Sequence, residues 1–196
     1  NVENMESYEE VNTFVEEIDQ KSTKKEVFII DKSSSKPVSI NSIESKEEER
    51  FTTDINELDR VLGGGIVKGS LVLVGGDPGI GKSTLLIQVS SNVANLGKTV
   101  LYITGEESES QIKMRAKRLG INSENLYIFA ENNLSIIESY LESVNPELII
   151  LDSIQTVFSP EISSAPGTVS QIKEGTSKFM KISKKMGIST FIVGHV

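Results

Sequence analysis

The chain has 196 residues, enough for one domain of ordinary size with a tail. Its 28 acidic and 20 basic residues leave a net charge of −8. That balance argues against a generally basic nucleic-acid binder, although a local basic groove stays open because counterion release depends on where the cations sit. Zero cysteines exclude disulfides and cysteine-ligated zinc in this sequence and fit a reducing, cytoplasmic compartment.

No apolar run approaches the roughly 20 residues of a membrane span. The first residue is Asn rather than Met and no basic-then-apolar leader follows, so a fragment or processed form is expected. Residues 1–50 are rich in Glu, Ser, Lys and Asn and read as a largely disordered N-terminal segment. Within it, Val27-Phe28-Ile29-Ile30 is apolar enough for a strand or a docking segment. Ordered sequence is expected over 51–196.

Asp54 or Asn56 is placed to cap a short helix through Glu57–Leu62, stopped by Gly63-Gly64-Gly65. Ser70–Val74 is a short apolar run, read as a buried strand. Gly76-Asp77-Pro78-Gly79-Ile80-Gly81-Lys82-Ser83 then fits G-x-x-x-x-G-K-[ST], and Thr84 follows. From Ser83 to Leu96 the apolar residues recur at helical spacing. A glycine-rich loop between strand and helix is the context that a phosphate-binding loop requires. Its backbone N–H groups turn inward around phosphate oxygens, and the helix N-terminus adds partial positive charge. Lys82 can reach the β- and γ-phosphates, and the Ser83 hydroxyl can ligate Mg²⁺. The competing explanation, a chance Lys-Ser after a glycine-rich turn, does not account for the flanking strand and helix.

Thr99–Ile103 reads as a second strand, running into Thr104-Gly105-Glu106-Glu107. A helix capped by Ser108 or Ser110 ends at Gly120, and Leu126–Phe129 is a third strand. Asn133 or Ser135 caps the next helix, which Pro146 closes. Leu148–Asp152 is a fourth strand, a polar loop with Pro160 and Pro166 follows, and Val169–Met186 is a helix weakly interrupted by Gly175. Ile188–Val193 is the fifth strand. Strands alternating with helices predict a mostly parallel sheet covered on both faces, with phosphate ligands at the carboxyl ends of the strands.

The strand ends carry the chemistry. Four apolar residues followed by Asp152 resemble the second nucleotide-binding signature, a carboxylate that holds Mg²⁺ through water beside Ser83. Water attacking a γ-phosphate needs a positioned proton acceptor, and Glu106, directly after the small Gly105, is assigned that role with Glu107 as runner-up. The plain alternative is an acidic turn favoured by a helix dipole. His195, the lone histidine, stands at the fifth strand tip, where it could sense the γ-phosphate or simply be structural. The loop Gln155–Gln171 is long enough to be functional or disordered. Lys173, Lys178, Lys181, Lys184 and Lys185 mark either a basic strip or a solvated helix face.

Three stretches resemble the bacterial RadA (Sms) DNA-repair ATPases: Glu57–Ile66 with Gly75–Leu86, Leu151–Val157, and above all Ser163-Ser164-Ala165-Pro166-Gly167-Thr168-Val169-Ser170-Gln171-Ile172-Lys173-Glu174. The likeness covers about residues 51–196, and Val11–Glu17 resembles the run that follows that family's zinc finger. The resemblance implies a RecA-like P-loop core that uses ATP and Mg²⁺, binds single-stranded or branched DNA and promotes branch migration as a homo-hexamer. It strengthens Glu106 as the catalytic carboxylate and His195 as the γ-phosphate sensor. It also puts Gln155, Ser170, Gln171 and Lys173 where DNA-contacting loops occur. The chain departs from the family pattern in lacking the four-cysteine finger and the parts beyond Gly194-His195-Val196. It also has Asp54 where the family usually has Gly, and Lys68 where it usually has Pro. Ending at the fifth strand implies an unpaired edge or exposed face there. An ATP-binding regulator on the same core, acting without DNA, is the alternative function.

Overall fold

The structure, a computed structural model, describes residues 37–44 and 47–195. The apolar run Val27–Ile30 and the family-like run Val11–Glu17 lie outside the described residues. Two units divide the chain, Asn1–Ser45 and Lys46–Val196. The described part of the first holds a 3-10 turn, Ile40–Ser42, in which the Ser42 hydroxyl donates to the Ser39 carbonyl at 2.7 Å.

The second unit opens with a two-stranded antiparallel ribbon, β1 (Arg50–Phe51) and β2 (Ile66–Val67), around the short helix α1 (Asn56–Val61). Pairing thus begins a residue before the expected boundary at 51. Neither Asp54 nor Asn56 caps α1: the residue before it is Ile55, without a side-chain cap bond. Asp59 does the local work instead, accepting from the Thr53 N–H (2.8 Å), the Thr53 hydroxyl (2.7 Å) and the Thr52 hydroxyl. Burial opposes ionisation of Asp59, but these three bonds outweigh it and leave its carboxyl below the ordinary value. Asp54 adopts φ 58, the left-handed region where glycine is at home. The Lys68 N–H donates to the Glu49 carbonyl at 2.9 Å, a bond that proline could not make.

The core is a five-stranded parallel sheet. Its strands are β3 (Leu71–Gly76), β4 (Val100–Thr104), β5 (Leu126–Ala130), β6 (Leu148–Asp152) and β7 (Ser189–His195). Helices α2 (Lys82–Asn95), α3 (Glu109–Arg118), α4 (Leu134–Val144) and α5 (Val169–Met186) connect them. The spatial order is β3-β7-β6-β4-β5. Strand side chains alternate between faces. Val100, Tyr102, Leu148, Ile150, Phe191 and Val193 meet Leu86, Val89 and Val93 of α2 and Ile112 of α3. Leu101, Ile103, Ile149, Leu151 and Ile192 meet Ile137 and Leu141 of α4 and Phe179 and Ile182 of α5. Helices therefore cover both faces, and β4 and β6 are buried along their whole length.

Two expectations change. The fifth strand, β7, is not an edge: it lies between β3 and β6, because a parallel crossover can return to the middle of a sheet. The edges are β5 and the P-loop strand β3, which is only half-buried and leaves Leu73 67 % exposed. Local chemistry chooses among the remaining cap candidates. Ser108 forms a capping box with Gln111 at the start of α3, and Asn133 caps α4 by accepting from the Ser135 N–H at 3.0 Å. Gly175 does not break α5. It brings that helix close to the segment after β6, since a Cβ there would stand 3.1 Å from Ile154 Cδ1.

Candidate nucleotide site

The carboxyl ends of β3, β7, β6 and β4 stand side by side, and each delivers one of the predicted groups. Gly76 pairs with His195, and Thr104 pairs with Asp152. Between β3 and α2 runs the loop Gly76–Gly81, followed by Lys82, Ser83 and Thr84 in the first turn of α2. Gly81 holds φ 102 at the N-cap, a geometry that frees the first N–H groups of α2 from any side chain of their own. Lys82 is buried, with its ammonium bent back onto the loop, donating to the carbonyls of Gly76 (2.5 Å) and Asp77 (2.7 Å).

Asp152 is 8 % exposed and accepts a hydrogen bond from the Tyr102 hydroxyl at 2.6 Å, the length of an O–H···O⁻ bond. Burial, then the Asp152 charge and the bond to it, push the Tyr102 phenol well above its ordinary value, so it stays protonated and donating. Nothing in the sequence singles out Tyr102, because an aromatic in a buried strand looks like core.

Glu106 leaves β4 into the open, 57 % exposed. The Ser153 hydroxyl donates to it at a long 3.3 Å, and His195 Nε2 lies 3.8 Å from the same oxygen. Gly105 before it admits no side chain: a Cβ would collide with the Thr156 hydroxyl and stand 2.6 Å from Thr156 Cβ. Glu107, the runner-up, is already engaged, with both carboxylate oxygens accepting from Arg115 Nη2 of α3. That leaves Glu106 as the carboxylate with free reach. Arg115 carries no sequence signal of its own, since it looks like one more cation of a solvated helix.

Two adjoining cavities, of about 230 and 220 Å³, open over these groups. One is bordered by Ser83, Glu106, Asp152 and His195, the other by Gly81, Lys82, Ser83 and Thr84; Gly79, Ser83, Arg115 and His195 belong to both. A larger cleft of about 600 Å³ lies between α4 and α5, lined by Leu141, Ile182 and several lysines, and includes none of the predicted site residues. The convergence of charged groups makes the smaller pair the candidate chemical site. Among the described residues no three His, Asp or Glu side chains cluster as metal ligands. Ser83 and Asp152 facing one cavity suit Mg²⁺, which takes few protein ligands and keeps its waters and phosphate oxygens.

The candidates for DNA contact separate. Ser170 and Lys173 are exposed. Gln155 donates through Nε2 to the His195 carbonyl at 3.1 Å, tying the base of the loop to the tip of β7. Gln171 is corrected: it is 1 % exposed and spends its amide on the loop itself. It accepts from the Ser159 N–H (2.8 Å) and donates to the carbonyls of Ser159 (3.2 Å), Ile162 (3.1 Å) and Ser164 (2.9 Å). On α5, Lys178 pairs with Glu138 at 3.4 Å, while Lys181, Lys184 and Lys185 are exposed.

A family model described as "ATPase: KaiC" matches residues 51–140. The chain is 56 % identical over 161 residues to the DNA repair protein RadA of Bacillus subtilis, which covers 82 % of this chain and 35 % of that protein. It is 48 % identical over 185 residues to the RadA of Streptococcus pyogenes (94 % and 41 %) and 49 % identical over 185 residues to that of Chlamydia trachomatis (94 % and 40 %). The chain thus spans well under half the length of the curated relatives it matches. A KaiC-like protein of Pyrococcus horikoshii shares the fold, with TM-score 0.64 at 22 % identity over 76 % of this chain and 72 % of that one. Close identity along most of the chain, joined to this sheet order and P-loop, shows that the chain belongs to the RadA family and carries its RecA-like ATPase core.

Proposed function

We propose that this core binds ATP at the loop Gly76–Thr84 and hydrolyses its γ-phosphate in the service of DNA repair. The observation that carries the reading is the convergence of Lys82, Ser83, Glu106, Asp152 and His195 on adjoining cavities at the carboxyl ends of neighbouring parallel strands. The loop N–H groups of Gly76, Asp77, Pro78-flanked Gly79, Ile80, Gly81 and Lys82 receive the phosphates, with Ser83 and Thr84 completing the first helical turn. Lys82 exchanges its carbonyl partners for phosphate oxygens, keeping its bonds while moving its charge onto the substrate. Mg²⁺, held by Ser83 and through water by Asp152, would neutralise charge between the β- and γ-phosphates. Tyr102 holds Asp152 in place. Glu106 takes the proton of the attacking water, and His195, 3.8 Å from it, senses whether the γ-phosphate is present.

The relatives are named for DNA repair, and on that basis single-stranded or branched DNA is the proposed partner, with branch migration by a homo-hexamer in the cytoplasm as the full activity. Ser170 and Lys173 offer exposed contacts, and the Gln155–His195 bond joins the loop to the nucleotide site. No helix among the described residues is long and apolar enough to cross a membrane.

The test is ATP turnover with Mg²⁺, with and without single-stranded DNA, for the wild type, Lys82→Ala and Glu106→Gln. Lys82→Ala should lose binding, and Glu106→Gln should bind ATP yet lose turnover by roughly 100-fold, the scale of a positioned general base. Wild-type turnover indifferent to DNA would favour the regulatory reading. Failure to bind ATP would refute both.

A further inference from the structure

We propose that Arg115 is a second phosphate-binding cation of this site, held ready by Glu107; the inference rests on the nucleotide reading above. Arg115 projects from α3, a helix anchored on the sheet by buried Ile112 and Ala116. Its side chain is 20 % exposed and borders both cavities over the P-loop. Glu107 occupies only Nη2. Nη1 is buried and has no hydrogen-bond partner among the described residues. A buried guanidinium nitrogen without an acceptor is costly, and the cost is removed when an acceptor arrives.

Charge balance says which acceptor. The cavity walls carry three carboxylates, Glu106, Glu107 and Asp152, against two permanent cations, Lys82 and Arg115. A triphosphate adds several more negative charges to that space, and one lysine with one divalent ion leaves the site short of cations. A planar guanidinium presents two donors in a fork that fits a phosphate while one edge stays on a carboxylate. Glu107 is therefore a positioning residue. Its own N–H donates to the buried Thr104 hydroxyl oxygen at 3.1 Å, which fixes it to the end of β4. It aims Arg115 at the cavity and also competes with the phosphate for that guanidinium.

The experiment measures Mg·ATP affinity by titration calorimetry for the wild type, Lys82→Ala, Arg115→Gln, Arg115→Lys and Glu107→Gln, with the nucleotide-free melt of each as a check on folding. Arg115→Gln should bind ATP about tenfold more weakly or worse, as expected for a lost charge-assisted bond to phosphate. Arg115→Lys should recover part of that loss, and Glu107→Gln should bind more tightly than the wild type. A purely structural ion pair would lower the melting temperature in all three variants without opposite effects on affinity. A folded Arg115→Gln that binds within twofold of the wild type overturns the proposal. If Arg115→Gln does not fold, Glu107→Gln decides: tighter binding supports the proposal, while unchanged or weaker binding overturns it. Absence of binding by the wild type would instead refute the nucleotide reading. Binding abolished by Lys82→Ala yet untouched by Arg115→Gln would refute this inference alone.

Discussion

Replacing Tyr102 with Phe removes one oxygen from a fully buried side chain and leaves the ring in place. The lost bond is the 2.6 Å donation to Asp152, itself 8 % exposed. Hydrogen bonds to charged groups contribute about 1.5–3 kcal/mol, so Tyr102→Phe should cost about 2 kcal/mol at neutral pH. For a domain of this size that is roughly 4–8 °C in melting temperature. The pH dependence gives a sharper test. The phenol is held above its ordinary value of 10.0 in the folded state, so its stabilising contribution is fully present below pH 10 and is lost as pH rises beyond it. At pH 11 the wild type should give up about 1.4 kcal/mol that the variant, having no phenol there, does not. Urea denaturation of both proteins at pH 7.5 and at pH 11 reads the difference, and the titrations common to both cancel. A gap of about 2 kcal/mol shrinking to well under 1 is expected. Equal stability at pH 7.5, or a gap that does not narrow at high pH, would refute the assignment of this bond as the support of Asp152.

Two further changes probe how the site is built. Gly105→Ala would drive a Cβ into the Thr156 hydroxyl and to 2.6 Å from Thr156 Cβ, so the strand exit must shift. A loss of roughly 1–3 kcal/mol is expected, together with weaker turnover because Glu106 is the next residue; a melt matching the wild type would show that the exit has room to spare. Gln171→Ala orphans the buried Ser159 N–H and the carbonyls of Ile162 and Ser164, while the Ser159 carbonyl keeps the Ile162 N–H, for a cost of roughly 2–4 kcal/mol. Limited digestion with a glutamate-specific protease should then cut after Glu161 much faster than in the wild type. Unchanged cleavage would contradict a structural role for Gln171 and restore it as a ligand contact.

Much of the site is legible in the amino-acid sequence. Glycine spacing, an apolar run ahead of the loop and helical periodicity after it are local properties, and the strand-ending Asp152 and Glu106 are located by the same local pattern. The helices α4 and α5 follow the sequence closely because each has one apolar stripe facing the sheet, and the strand β6 does so because it is a continuous apolar run buried on both faces. Gln171 misleads because its neighbours Ser170 and Lys173 are exposed. A one-residue step along a helix turns a side chain by about 100°, from solvent into the loop it braces.

Periodicity along the chain settles that strands and helices alternate and that a glycine-rich loop lies between two of them, since both depend on neighbours within a few residues. It does not settle lateral order. β7 enters between β3 and β6 because the crossover through α5 returns to the interior of the sheet, and only then does His195 come within reach of the P-loop and Glu106. The pairing of Tyr102 with Asp152 spans 50 residues, and the reach of Arg115 into the cavity depends on α3 sharing a face of the sheet with α2. Such contacts arise from which surfaces the packed sheet brings together, a property of the whole fold that no window of sequence contains.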